Sequence, residues 1–148
     1  MLNYKEIKEQ NDKLELVLLK DREDWGTKLK PLIDMIKDIT RVSEAQVIML
    51  SYRHQLTDKI SEFQNRLYKK GASFDYHFKE SFLYYSSEYN LKLSGGEKEK
   101  FIKSDLRELK RQEYMLESHI EFYYGCIKTL DQMAWAIKNK IHVTTEQL

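Results

Sequence analysis

The most regular stretch of the chain is FIKSDLRELKRQEYMLESHIEFYYGCIKTLDQMAWAIKNKI, from Phe101 to Ile141. It has a seven-residue repeat, with positions named a to g, in which nearly all d and a positions are apolar. The d positions are Ile102, Leu109, Leu116, Tyr123, Leu130 and Ile137, and the a positions are Leu106, Glu113, Ile120, Ile127, Ala134 and Ile141. Such a repeat is typical of a long helix that keeps one seam against a partner helix.

A capping pattern marks the beginning of this helix. Ser94 stands three residues before Glu97, a spacing at which serine and glutamate cap each other's backbone N–H groups. We therefore predict that the second long helix covers residues 97–142.

A first long helix is predicted earlier in the chain. Thr27 is a suitable N-cap and Pro31 suits a first turn. Apolar residues then recur every three or four positions, at Leu29, Leu32, Ile36, Ile39, Val42, Ala45, Met49, Tyr52, Leu56, Ile60, Phe63 and Leu67. This spacing predicts a helix over 28–70 that Gly71 ends.

The other segments show no single period. Residues 1–27 are predicted to form an N-terminal arm that ends at Trp25 and Gly26, and residues 71–96 an aromatic-rich connection between the two helices. The aromatic residues of the connection are Phe74, Tyr76, Phe78, Phe82, Tyr84, Tyr85 and Tyr89. We interpret them as core or interface filling, with a platform for stacking nucleic-acid bases as the alternative.

The second long helix carries more apolar surface than one seam requires. Large apolar groups also occupy its b and c positions, at Phe101, Tyr114, Met115, Phe122, Trp135 and Ala136. Since two helices cannot cover both faces, we predict a single all-α domain over 1–148, a helical hairpin or coiled coil that assembles into a homo-oligomer. The predicted oligomer interface consists of Leu109, Leu116, Ile120, Tyr123, Ile127, Leu130 and Ile137.

Composition argues against several other classes. One proline and five glycines in 148 residues supply too few turns for an all-β fold. The single cysteine, Cys126, allows no intrachain disulfide and suits a reducing compartment. The N-terminus lacks the apolar region of a signal peptide, and no apolar run approaches a membrane span. We therefore expect a cytoplasmic protein without a membrane partner.

Motifs of common enzyme classes are absent from the sequence, including nucleotide-binding loops and the HExxH zinc motif. His119 and Cys126 share the g stripe, but one heptad separates them by about 10 Å along a helix, too far to hold one zinc ion. We expect a protein that is not an enzyme and that uses no cofactor or metal.

Positive charge is concentrated locally. Lys and Arg outnumber Asp and Glu by only 25 to 24 overall, but by nine to five in residues 28–70. If Ile60 and Leu67 are a positions and Phe63 is a d position of the first helix, Lys59 and Arg66 fall at g beside the seam. Lys69 and Lys70 end the predicted helix. In one interpretation these bases complement the helix dipole or pair with a neighbouring helix. In the other, the four residues bind the phosphates of single-stranded DNA.

Three short stretches carry a family resemblance. They are Leu91-Lys92-Leu93-Ser94, then Phe101-Ile102-Lys103-Ser104-Asp105, and, after the heptad helix, Trp135-Ala136-Ile137-Lys138-Asn139-Lys140-Ile141. This order resembles the UvsY-type recombination mediators of T-even-like phages, in which a KLT-SE opening leads to a YI-x-x-D turn, a coiled-coil helix and a closing aromatic-x-IK/R-N-x-I segment. Asn65-Arg66-Leu67-Tyr68 is similar to the basic, aromatic end of that family's preceding helix.

The resemblance implies a small non-enzymatic protein that forms a closed homo-oligomer larger than a dimer, of the hexamer or heptamer class. It implies binding to single-stranded DNA and help for a RecA-like phage recombinase in displacing the phage single-strand-binding protein, in the cytoplasm of an infected bacterial host cell. The alternative is a structural or adaptor coiled coil, such as a phage assembly or scaffold component, without nucleic-acid binding. Salt-sensitive binding to single strands distinguishes the two.

Overall fold

The computed structural model describes residues 2–147, so Met1 and Leu148, the ends of the predicted domain, lie outside the described residues. Within 2–147 the regular elements are α1 (Tyr4–Met35), a 3-10 turn (Ile39–Arg41), α2 (Val42–Ser87), α3 (Gly95–Asp105) and α4 (Arg107–Glu146). This confirms the prediction of an all-α protein. None of the helices in the described part is long and apolar enough to cross a bilayer.

The N-terminal arm predicted over 1–27 is wrong, because α1 is one helix as far as Met35. A buried residue recurs at every seventh position, at Asn11, Leu18, Trp25 and Leu32. The stripe is not apparent in the sequence because one member is an asparagine and another is followed by Gly26. A glycine costs a helix interior only about 1 kcal/mol, which the burial of Trp25 and Leu32 offsets.

The first long helix, predicted over 28–70, is interrupted after Met35. Asp38 Oδ1 accepts a hydrogen bond from the Thr40 N–H at 3.0 Å and another from the Thr40 hydroxyl at 2.7 Å. These bonds lower the pKa of Asp38. A side chain that binds neighbouring backbone in this way competes with helix formation, and α2 begins only at Val42.

Helix α2 does not end at Gly71, and most of the connection predicted over 71–96 is helical. The helix continues to Ser87, which leaves residues 88–94 as the connection. Phe74, Phe78 and Tyr85 pack against a buried cluster of α3 and α4 residues, whereas Tyr76 is 59% exposed. No single period fits the aromatic residues because some are packed and others exposed on α2, and Tyr89 lies beyond the end of the helix.

The capping box at Ser94 and Glu97 is confirmed. Ser94 Oγ accepts a hydrogen bond from the Glu97 N–H at 3.2 Å, and Glu97 Oε1 accepts one from the Ser94 N–H at 3.4 Å. The second long helix, predicted over 97–142, is interrupted at Leu106, which separates α3 from α4. The interruption is local, because the Leu106 N–H still donates to the Ile102 carbonyl at 2.9 Å.

The chain forms two compact units. Residues 2–16 and 63–118 form unit 1, and residues 17–62 and 119–147 form unit 2. In unit 1, α1 contacts α4 where Asn11 Nδ2 donates to Glu108 Oε2 at 2.8 Å. In the same unit α2 contacts α4, because Lys110 Nζ lies 4.9 Å from the centre of the Phe74 ring.

Unit 2 also contains contacts among segments of three helices. The Tyr123 hydroxyl of α4 donates to Asp21 of α1 at 2.7 Å. The rings of Trp25 in α1 and Tyr52 in α2 meet edge to face, with their centres 5.6 Å apart. An ion pair joins Arg53 of α2 to Asp131 of α4 at 3.4 Å.

These contacts correct the predicted oligomer interface. Six of its residues are at most 7% exposed in a single chain, namely Leu109, Leu116, Ile120, Tyr123, Leu130 and Ile137, and Ile127 is half-buried. The prediction assumed that one chain supplies only two long helices, whereas α1 is a third. The six side chains therefore belong to the core of one chain and are not available to contact another copy.

Candidate nucleic-acid interface

The residues predicted to bind DNA all lie on α2, but they belong to different units. Lys59 belongs to unit 2, where its Nζ lies 3.3 Å from Glu62 Oε2 and both side chains are about half exposed. An exposed pair of this kind contributes at most about 1 kcal/mol to stability. Because the carboxylate also offsets the lysine's charge, Lys59 is the weakest of the candidates for a phosphate contact.

Arg66, Lys69 and Lys70 belong to unit 1. The Arg66 guanidinium carbon lies 4.8 Å from the centre of the Phe63 ring, a cation–π arrangement. Lys69 and Lys70 are exposed, and neither forms an ion pair with another described residue. Their interpretation as charges at a helix end is wrong, because α2 continues to Ser87 and the helix dipole acts only within the last turn.

Two tyrosines lie among the lysines on the solvent side of this part of α2. We call Tyr68, Lys69, Tyr76 and Lys79 the outer face of α2. Tyr68 is 79% exposed, both lysines are exposed, and separations of three, seven and eleven residues keep the four side chains on one side of a helix. The Tyr76 hydroxyl donates to Glu80 at 2.8 Å, and this bond raises the pKa of Tyr76.

The aromatic residues on the opposite side of α2 are engaged in packing. The Tyr85 ring stacks on Phe101 with the ring centres 5.6 Å apart, and its hydroxyl donates to Asp105. Burial, followed by this hydrogen bond, raises the pKa of Tyr85. One face of the Tyr85 ring is therefore already covered, so packing describes this residue better than base stacking.

Unit 1 has a second basic surface, which is not among the sites predicted from the sequence. A groove of about 820 Å³ has apolar lining from Phe74, Phe78, Leu106 and Tyr114, and charged lining from Lys103, Arg107, Glu108, Lys110 and Arg111. We call it the basic groove. The signal was present in the sequence, since Lys103, Arg107 and Lys110 recur every three or four positions, but the heptad pattern indicates only where the apolar residues lie.

Two of the bases in the basic groove are neutralised by nearby carboxylates. Arg111 lies 3.0 Å from Asp12 and 2.8 Å from Glu15, and its hydrogen bond to Asp12 is the largest cause of its raised pKa. Lys110 lies 3.0 Å from Glu113. Lys103 and Arg107 are exposed and have no ion-pair partner among the described residues.

A buried polar network lies in unit 2. His119 is fully buried, and its Nε2 lies 2.8 Å from the Asp21 carboxylate. Arg22 Nε lies 3.4 Å from His119 Nδ1. Because this places a donor at Nδ1, the hydrogen of the neutral ring is on Nε2 and is donated to Asp21. The histidine is closed to solvent, and the network connects α1 to α4 within unit 2.

The described residues bring together no cluster of three or more His, Cys, Asp or Glu side chains that could hold a metal ion. Cys126 is buried, and burial raises the pKa of its thiol. A thiol with a raised pKa is a poor nucleophile and a poor metal ligand at neutral pH.

Comparison with protein families, with curated proteins and with solved structures finds no match to this chain.

Proposed function

We propose that the protein is a non-enzymatic recombination mediator that binds single-stranded DNA and promotes the loading of a RecA-like phage recombinase in place of the phage single-strand-binding protein. The observation that carries the proposal is the outer face of α2, where exposed tyrosines alternate with exposed lysines. The partners and the location, the cytoplasm of an infected bacterial host, rest on the resemblance to the UvsY-type mediators.

Single-stranded DNA offers charged phosphates and open base faces, and the outer face of α2 supplies a partner for each. Lys69 and Lys79 are exposed and unpaired among the described residues, so little electrostatic compensation is lost when they approach a phosphate. Tyr68 and Tyr76 present exposed rings, and stacking on an aromatic ring contributes about 1 to 3 kcal/mol per base. Arg66 and Lys70 lie on the same part of α2 and extend its positive charge.

The proposal includes a homo-oligomer larger than a dimer, of the hexamer or heptamer class by resemblance. Its contacts must use residues that one chain leaves exposed. Val47 and Leu50 of α2 are 70% and 71% exposed, and they line a hollow of about 700 Å³ in unit 2. Apolar side chains clustered on a surface are typical of contacts between proteins. Repetition of one weak DNA-binding face around a ring raises the overall affinity without new contacts.

The test is fluorescence anisotropy of a labelled oligo-dT at several salt concentrations. A double variant, Lys69→Ala with Lys70→Ala, removes two phosphate partners from each subunit and is expected to make the slope of log affinity against log salt shallower by about 1.4 for every subunit that contacts the strand. Tyr76→Ala is expected to weaken binding by about tenfold while leaving the salt slope unchanged.

The matched control is Lys30→Ala with Lys128→Ala, which changes the net charge equally at exposed positions of unit 2. It is expected to leave the slope within the error of the wild type. Equal effects of the two double variants would refute a localised binding face. If the wild type does not bind oligo-dT at low salt, the structural or adaptor alternative is favoured, which the exposed Val47 and Leu50 would also suit.

A further inference from the structure

The basic groove combines an apolar floor with a positively charged rim. Phe74 and Phe78 of α2 line it together with Leu106 and Tyr114. Tyr114 remains 69% exposed, so its ring is accessible to an occupant of the groove. At about 820 Å³, the groove lies within the range of 300 to 1,000 Å³ that is typical of ligand sites.

Two of the four bases at the rim are left without an acidic partner among the described residues. Four bases line the groove against one carboxylate, Glu108. Carboxylates of the same chain neutralise Arg111 and Lys110. Lys103 and Arg107, in contrast, have no ion-pair partner among residues 2–147. An occupant of the groove therefore gains most from negative charges placed opposite these two bases.

The spacing of the rim charges matches a helix. Arg107 follows Lys103 by four residues, across the local interruption at Leu106, and Lys110 follows Arg107 by three. In a regular helix these separations correspond to rises of about 6 and 4.5 Å along the axis. Carboxylates at positions i, i+4 and i+7 of a second helix are separated by the same distances along the axis of that helix. Apolar residues on the adjacent stripe of such a helix would reach the groove floor.

The floor is less suited to a nucleic-acid base. A base has polar edges that need hydrogen-bond partners, and the aromatic and aliphatic side chains of the floor offer none apart from the exposed hydroxyl of Tyr114. Lys110 Nζ lies 4.9 Å from the centre of the Phe74 ring, so one face of that ring is covered and closed to stacking. An apolar side chain of a partner has no polar edge to satisfy and does not need a free ring face, so neither feature disfavours it.

We propose that the basic groove is a docking site for an acidic amphipathic helix of a partner protein. Apolar side chains of the helix fill the floor at Phe74, Phe78 and Leu106, and its carboxylates pair with Lys103 and Arg107. This is a helix-in-groove interaction. It goes beyond the proposed function and does not depend on it, because the outer face of α2 and the basic groove use different residues.

The test uses a fluorescein-labelled peptide with leucine at positions i, i+3, i+4 and i+7 and glutamate beside them, titrated with the full-length protein. A second peptide carries glutamine in place of every glutamate. The acidic peptide is expected to bind with saturation, and the glutamine peptide at least about tenfold more weakly. Tyr114→Ala, which removes an exposed part of the groove lining, is expected to weaken binding of the acidic peptide severalfold.

Charge reversal of the rim locates the interaction. Lys103→Glu with Arg107→Glu is expected to weaken binding of the acidic peptide by about tenfold or more, and both positions are exposed, so the fold should be retained. The control is Lys30→Glu with Lys128→Glu, which changes the net charge equally in unit 2 and is expected to have less than a twofold effect.

Three kinds of outcome would overturn the inference. The first is a failure of specific peptide binding, seen either as no saturable binding up to about 100 μM or as an equal loss in the two double variants. The second is a loss of oligo-dT affinity in the rim variant while peptide binding is retained, which would assign the groove to nucleic acid. The third is a reduced oligomer mass in the rim variant without a change in peptide affinity, which would assign it to a second copy of the chain.

Discussion

Glu108 holds α1 to α4 in unit 1 through one carboxylate. Asn11 of α1 is fully buried, and its Nδ2 donates to both the backbone carbonyl and the Oε2 of Glu108, at 2.8 Å each. Arg111 donates to the same Oε2 at 3.2 Å. The bond from Asn11, and after it that from Arg111, lowers the pKa of Glu108 against the opposing effect of burial.

This arrangement predicts a pH dependence of stability. Since the pKa of Glu108 in the folded chain lies below its usual 4.5, the ionised carboxylate stabilises the fold above that pH. Its contribution is lost as the pH falls through the lower, folded pKa. Glu108→Gln is expected to lower the urea midpoint at neutral pH and to reduce the further loss of stability on going to about pH 3.5.

Urea denaturation at the two pH values measures both effects. Glu117→Gln is the control, because Glu117 is exposed on the same helix and should leave the pH dependence unchanged. If Glu108→Gln loses as much stability on acidification as the wild type, the Glu108 carboxylate is not the group responsible.

Helix boundaries depend on caps more than on glycines in this chain. Asp38 and Ser94 each bind a nearby backbone N–H, and a non-helical segment lies at each of them. Gly71 is an interior residue of α2, with no positive φ. The packing of Phe74 and Phe78 against the buried cluster outweighs the cost of one glycine, about 1 kcal/mol.

Replacing Gly71 with alanine is therefore expected to stabilise the protein by about 0.5 to 1 kcal/mol. A Cβ at this position would lie 4.0 Å from Glu113 Oε1, an ordinary contact. Gly26→Ala, in the interior of α1 with open space around the new Cβ, is expected to give a similar gain. Urea midpoints measure both. A helix that ended at Gly71 in a left-handed conformation would instead be destabilised by alanine.

The whole chain covers its own heptad seam, and this changes how a seam substitution should behave. Leu116 is 1% exposed, so Leu116→Asp places a charge in the core of the single chain. The expected cost is about 3 to 5 kcal/mol, enough to remove much of the stability of a small protein. Loss of helical circular dichroism at every protein concentration is expected, and not only dissociation of an oligomer.

Leu50→Glu is the complementary variant for the proposed oligomer. Because Leu50 is 71% exposed, its replacement is expected to leave the melting temperature of the monomer nearly unchanged and to lower the mass measured by light scattering. A wild type that is monomeric at micromolar concentration would refute the proposed oligomer. If the mass of the oligomer is unchanged in this variant, Leu50 does not form the contact between copies, and other exposed apolar residues do.

At the candidate site, the sequence indicated some of the bases but neither Lys79 nor the surroundings of any of them. Lys69 and Lys70 were identified from local charge, and they are exposed. Their distance from the helix end depends on whether α2 continues past Gly71, and the packing of Phe74 and Phe78 decides that. The exposure of Tyr76 could not be predicted either, since alternate aromatic residues of one segment face either solvent or the core.

The sequence by itself determined that the protein is helical, that Ser94 caps α3, and which side of α4 is apolar, because these properties follow from local hydrogen bonding and from the seven-residue period. Only the tertiary structure decided what covers that side. A heptad repeat shows that a seam is buried, but it contains no information about whether the covering helix comes from the same chain or from another. Here α1 and α2 of the same chain both contribute to the cover, since Ile7 and Phe74 pack against the buried cluster of seam residues. Contacts of α1 such as Asn11 with Glu108 and Asp21 with Tyr123 join residues about a hundred positions apart and leave no local signal.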